Sequence, residues 1–369
     1  MVARSHLLRF LLLLICLLFL ILGLLAGAVR LGWDKAWAQP TLGVIHGPLM
    51  ICGFLGTLIG LERAVALGRR WGYAAPVLAL VGMLSLVAGH FDRLAMFLVA
   101  LGSLVLVFIF ITVLLKQPTF HTTTMSLGAV AWLVGNVLWS TGVAIPHMAH
   151  WWIAFLILTI LGERLELNRL VAPSRHGKFI FGAGLVLLAA GLICESLLPG
   201  QGDRIAGVGL LALAVWLAFY DVARFTVHRA GLPRFIALCL FAGYGWLGIA
   251  GLIWVWAAPV DARGSFSFFL YDAMLHSVLL GFVFSMIFAH APIIFPAVLA
   301  RPLPFRPAFY AHALLLHLSL AARIAGDLAG SLSLVRWSGL GNVIALILFL
   351  ANSGYSVVTG QSRNPPSPS

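Results

Sequence analysis

The sequence predicts an all-α integral membrane protein with about twelve transmembrane helices and both termini cytoplasmic. Three observations carry that prediction. Composition is the first: of 369 residues, 62% are hydrophobic and 9% charged, with a mean hydropathy of +1.06, whereas a soluble domain carries about a quarter charged residues. The second is a succession of apolar runs, each close to the roughly 20 residues that a helix needs to cross a bilayer core of about 30 Å. The third is the uneven placement of Lys and Arg between alternate turns.

The first run, Leu7 to Val29, follows Arg4 and Arg9. An "AWA" at 36–38 resembles a signal-peptidase site, but the run exceeds the 7–15 residues of a signal h-region, so it reads as a retained spanning helix. The runs that follow are 42–67, 73–91, 94–115, 124–145, 149–171, 177–197, 203–225, 234–258, 267–298, 307–329 and 333–358, separated by short turns of Gly, Pro and charged residues. No stretch between them is long enough for a soluble domain. Residues 1–360 therefore read as a single polytopic transmembrane domain, and 361–369 as a short disordered cytoplasmic tail.

With twelve spans and a cytoplasmic N-terminus, the inner ends hold 16 of the 23 Lys and Arg and four of the 11 acids, so the whole net charge of +12 falls on one side. An odd number of spans would scramble that separation, which follows the positive-inside rule. The basic surface is thus a topology signal, with membrane lipid as its neighbour and no nucleic acid implied. Cys16, Cys52, Cys194 and Cys239 lie in apolar runs without C-x-x-C spacing, which argues against disulfides and zinc and for small core residues.

Ionisable residues inside spanning helices are costly and mark candidate sites. In the second run His46 lies about a turn inside the outer face, followed by Gly53, Gly56 and Gly60. The G-x-x-x-G step of the last two lets a helix or a flat ligand approach closely. In the tenth run, "LHSVLLGFVFSMIFAHAPIIFP", His276 and His290 are fourteen residues apart. That places them about 40° apart around the helix and about 21 Å apart along it, on one face but in two layers. Ser277, Gly281, Ser285 and Ala289 form a small-residue ridge beside them, which serves helix packing or makes room for a planar macrocycle. His276 matches His46 in depth, so the two are candidate axial ligands of one b-type haem, with Met50 as a softer alternative. Asp272 would orient the His276 ring, and Arg323 with Asp327, and Arg263, lie near the level of the propionates.

His290 falls in the inner half with His312 and His317, whose five-residue separation turns them about 140° apart, so at most one joins it. At similar depth lie Glu62 and Arg63 in "GLERAVAL", Glu163, Arg164 and Glu166 in "LGERLELNRL", and Asp221 with Arg224. These would form an ionic network, a proton path or a metal site, or pair at the interface as helix-end charges. The remaining histidines, His121 and His150 among them, fall at helix ends or in loops and read as solvated.

Twelve spans, the "IHGPLMICGFLGTLIG" of the second helix and the histidine-bearing tenth helix resemble the catalytic subunit of haem–copper oxidases and nitric oxide reductases. Within that group the sequence is most similar to the NnrS family of denitrification and nitric oxide stress. The likeness in topology covers the whole chain, and that in sequence the second, tenth and eleventh helices. It implies an oxidase subunit I-like bundle in a bacterial inner membrane, with haem on His46 and His276, copper as an open second metal, and a respiratory or denitrification redox partner. Metal-ligand candidates are then His46, His276, His290, His312 and His317. The sixth and seventh helices lack the histidines of an oxidase copper centre, and the tenth lacks a close pair, which argues against gas reduction by that mechanism. The expectation is a membrane haem protein for nitric oxide metabolism or electron transfer. The alternatives are a proton-coupled secondary transporter using Glu62, Arg63, Glu163, Arg164 and His290, and an assembly factor for a respiratory complex.

Overall fold

A computed structural model describes residues 2–33, 40–89, 92–168, 174–256, 267–299 and 302–361. Every regular element among the described residues is helical. The long helices are α1 (Val2–Arg30), α2 (His46–Leu67), α3 (Ala74–Val87), α4 (Asp92–Lys116), α5 (Phe120–Ser140) and α6 (Ile145–Leu167), then α7 (Arg175–Leu197), α8 (Gly202–Tyr220), α9 (Leu232–Trp256), α10 (Phe268–Leu299), α11 (Phe309–Leu328) and α12 (Leu332–Gln361). The expected tail lies, beyond Gln361, outside the described residues.

Among the described residues, eleven helices are long and apolar enough to cross a membrane, α3 counting with the 3₁₀ turn Arg70–Tyr73 before it. The one of the twelve that falls short is α5, expected at 124–145. Its 21 residues reach about 31 Å, but Thr122, Thr123, Thr124, Ser126 and Asn136 dilute its apolar content. It starts earlier than its apolar run because Thr119 and Thr122 form a capping box. The hydroxyls of Thr123, Thr124 and Ser126 donate to carbonyls four residues back, so their polarity is met within the helix.

The chain divides into two compact units, Met1–Glu166 with α1 to α6 and Leu167–Ser369 with α7 to α12. In the first, α3 lies against α4 where Gly82 meets the Ala95 carbonyl and Gly102 meets that of Ala75, and Gly128 brings α5 onto the α6 backbone at Phe155. In the second, Gly191 seats Ala206 of α8, Gly207 meets the Gly251 carbonyl of α9, and Gly326 lies on Val335 of α12. Small residues replace the hydrophobic drive that lipid removes, letting backbones approach and van der Waals contact accumulate.

Two helices leave the α register. In α2 a π-helical turn spans Leu49–Gly56, just past Pro48, and in α10 another spans Ser277–Val283. A π turn widens the backbone ring and disturbs the carbonyls at its ends, and such turns are common at functional sites. Side chains supply the extra donors. The Thr57 hydroxyl donates to the Cys52 carbonyl at 3.0 Å and the Cys16 thiol of α1 to that of Phe54 at 3.1 Å. In α10 the Ser285 hydroxyl donates to the Gly281 carbonyl.

Candidate metal-binding histidines and buried ion pairs

His46 opens α2 and His276 closes the first segment of α10, so each stands at the N-terminal side of a π turn. The His46 Nδ1 lies 2.8 Å from the Gly23 carbonyl oxygen of α1. A carbonyl only accepts, so Nδ1 carries the proton and Nε2 keeps the lone pair. The ring rests on Gly27, where a Cβ would come within 2.9 Å of Cε1. Glycine is therefore what lets α1 approach this imidazole.

The His276 Nδ1 lies 2.9 Å from the carbonyl oxygen of Asp272, one turn back, and 3.3 Å from its Oδ1. Asp272 is gripped in turn by Arg323 of α11, with Nε at 2.8 Å from Oδ2 and Nη2 at 3.0 Å from Oδ1. Both partners are buried, at 5% and 6% exposure. The backbone carbonyl of Asp272 thus lies closer to the ring nitrogen than its carboxylate does, and Arg323, expected near the propionates, is committed to Asp272. Asp327, one turn on, is buried beside Asp272 and Arg323. Arg263 lies outside the described residues.

His290 repeats the pattern, its Nδ1 at 2.7 Å from the Met286 carbonyl oxygen. His317 reverses it: the Trp246 indole N–H donates to Nδ1 at 3.1 Å, which puts the ring proton on Nε2. In His312 the donor to Nδ1 is Asn352, at 3.2 Å, whose amide nitrogen also donates to the Ala308 carbonyl and so is fixed in orientation. The His312 ring is enclosed by Phe235, Phe288, Phe309 and Phe349, with centroids 4.7–6.3 Å away. These three histidines thus hold different partners, and of them His290 alone has the tautomer of a metal ligand through Nε2.

The donor chemistry at His46, His276 and His290 therefore fits a haem or transition metal, since ligating histidines characteristically give their other N–H to a carbonyl or carboxylate. The glycines beside them do something else. Gly281 of α10 carries the Trp246 indole of α9, and Gly243 of α9 meets Ser285 and Met286. In α2, Gly56 carries the Trp132 indole, Gly60 meets Pro76 and Gly53 meets Phe19. These ridges seat the protein's own side chains.

In the first unit, Arg63 Nη2 bridges Glu62 Oε1 at 2.6 Å and Glu163 Oε1 at 2.9 Å, joining α2 to α6. Arg63 Nη1 also lies 3.8 Å from the Met125 sulfur of α5. Arg164 is buried and Glu166 exposed. Asp221, expected with Arg224, has another role. Its Oδ1 accepts from the Ala223 amide at 2.7 Å and its Oδ2 from Asn168, which caps the short helix Ala223–Thr226. Arg224 instead donates to the Phe219 carbonyl and stacks on Phe225.

His121 and His150, read from sequence as solvated, are buried at 7% exposure each. For His121 the signal was the Thr-x-His step, since Thr119 caps α5 and also bonds its ring. His150 sits a turn inside α6, which begins at Ile145, four residues ahead of the predicted 149. No curated protein matches the chain. A single family model spans nearly all of it, residues 9–358, and the chain belongs to that family, described as Domain of unknown function (DUF8744).

Proposed function

We propose that this is a membrane haem protein of twelve spans with both termini cytoplasmic, in a bacterial inner membrane, related to the NnrS family and the oxidase subunit I bundle. The observation that carries the reading is the shared state of His46 and His276: each heads a π turn and each has Nδ1 spent on a carbonyl. A neutral imidazole in that state offers Nε2 to iron with its ring orientation already paid for in the fold. His290 has the same state and is the candidate for a second haem or a copper ion. His312 and His317 have the opposite tautomer, which does not offer Nε2 to a metal.

A bound b-type haem supplies one-electron chemistry at a potential set by its ligands and their hydrogen bonds. The chain's part is to hold the rings. Asp272, itself held by Arg323, increases the electron donation of His276, while His46 leans on an uncharged carbonyl. Electron transfer with a respiratory or denitrification partner follows from this chemistry more readily than gas reduction.

The test is the absorption spectrum and pyridine haemochrome of the purified protein, with copper analysis. A Soret band is expected, diminished or shifted in His46→Ala and in His276→Ala and unchanged in His317→Ala. A protein without pigment, or one whose spectrum survives both substitutions, overturns the reading. One observation favours a second reading, a proton-coupled transporter: Arg63 shared by two carboxylates within the membrane span. Proton-dependent uptake by pigment-free proteoliposomes would favour it.

A further inference from the structure

A second polar cluster lies in the first unit, remote in kind from the histidines and built wholly of neutral groups. Asn136 and Trp132 stand one turn apart on α5, and both are fully buried. The Trp152 indole of α6 donates to Asn136 Oδ1 at 2.9 Å. Because an indole N–H only donates, this fixes the amide: its oxygen faces Trp152, and both Nδ2 hydrogens need acceptors elsewhere. Cys52, in the π turn of α2, lies with its sulfur 3.4 Å from the same oxygen.

Asn136 Nδ2 has no acceptor among the described residues, and the Trp132 N–H faces only the Cys52 sulfur, a weak acceptor. The Trp132 ring is held against rotation, stacked on Phe155 at 4.9 Å and 13° and pressed along its six-membered edge onto Gly56. It has no freedom to seek a partner. A buried donor with no acceptor, or only a weak one, forfeits the hydration it had in the unfolded chain, and two such donors one turn apart on one helix point to a shared, stronger acceptor. The side chains that touch the two residues, Cys52, Phe155 and Trp152, bear no charge, so an anion there would be buried without a counter-ion among them. The acceptor is therefore neutral.

We infer that Trp132 and Asn136, with Cys52 beside them, form an internal binding site for one neutral hydrogen-bond acceptor of about the size of a water molecule. Water suits the donor set, because it accepts from both N–H groups and has a hydrogen left for the Cys52 sulfur, the Asn136 oxygen already accepting from Trp152 and the Cys52 thiol. The site braces the π turn of α2 against α5 and α6. It is independent of any metal at the histidines.

Ultraviolet resonance Raman spectroscopy tests this on the full chain, with Trp132→Phe as the difference reference that isolates one indole. The expected result is a hydrogen-bonded Trp132 N–H in the wild type, retained in Cys52→Ala. An unbonded indole in the wild type overturns the inference. So does a bonded one that is lost in Cys52→Ala, since the thiol would then be the acceptor. If Trp132→Phe does not fold, a high-resolution experimental map of the wild type decides: density within hydrogen-bond distance of both Nε1 and Nδ2 supports the site, and side chains packed across it refute it.

Discussion

The π turns of α2 and α10 stand beside the same kind of residue and hold it by different means. His46 is anchored across a helix boundary, to the Gly23 carbonyl of α1, and is seated there because Gly27 has no side chain. His276 is anchored within its own helix and backed by a buried carboxylate–guanidinium pair. Shape orients one ring and charge the other. Shape fails gradually, by crowding, whereas a buried charge fails abruptly when its partner is removed, so the two sites should respond to substitution on different scales.

The largest effect is expected at the ion pair. Arg323→Met leaves the Asp272 carboxylate buried beside a neutral imidazole, and breaking such a pair from one side costs about 3–5 kcal/mol. Thermal unfolding in detergent should show it as a large drop in midpoint. Adding Asp272→Asn removes the stranded charge and should restore most of the loss. A wild-type midpoint in Arg323→Met alone would mean that charge does not hold the α10 site.

Crowding gives the intermediate effect. In Gly27→Ala the new methyl would stand 2.9 Å from the His46 Cε1, closer than carbon atoms pack, and overpacking of this kind costs about 1–3 kcal/mol. The decisive measurement is a double-mutant cycle with His46→Ala. If the ring is what the methyl strikes, removing it should relieve most of the cost, giving a coupling of about 0.5–3 kcal/mol. Additive losses would show that Gly27 serves the helix contact alone and that shape does not set the ring.

The difference between these sites also marks where the sequence was legible. Eleven apolar helices were readable because every one must present about 20 apolar residues to lipid, and the Asp272–His276 pair because a four-residue step places both on one face of a helix. The Glu62, Arg63 and Glu163 set was readable as charges of similar depth that would form an ionic network or pair as helix ends, although its hub, Arg63, shows only in the structure. The anchor of His46 was not readable, since Gly23 lies in another helix and contributes a backbone atom that any residue would offer. The π turns left no mark either, because they depend on how Thr57, Cys16 and Ser285 spend their donors. The glycine ridges were visible, but whether they faced a cofactor or an indole rested on Trp132 and Trp246, two tryptophans in runs where any large apolar residue would fit.

The smallest effect bears on the turns themselves. Thr57→Val and Ser285→Ala each remove one hydroxyl that donates to a carbonyl of the π turn, a loss of about 0.5–1.5 kcal/mol for a net hydrogen bond. The surroundings differ. In α2 the Cys16 thiol supplies a second donor, from another helix, so the turn keeps one brace when Thr57 is replaced. In α10 Ser285 is the side-chain donor, and the register it supports is direct, with the Phe284 N–H reaching the Leu279 carbonyl five residues back. Hydrogen exchange over 277–285 should therefore quicken more in Ser285→Ala than exchange over 49–57 does in Thr57→Val. Equal protection in both variants would mean that packing alone keeps the π register. The histidines would then owe their placement to their helix neighbours, in α10 as in α2, and the contrast between a ring set by shape and one set by charge would narrow to the ion pair.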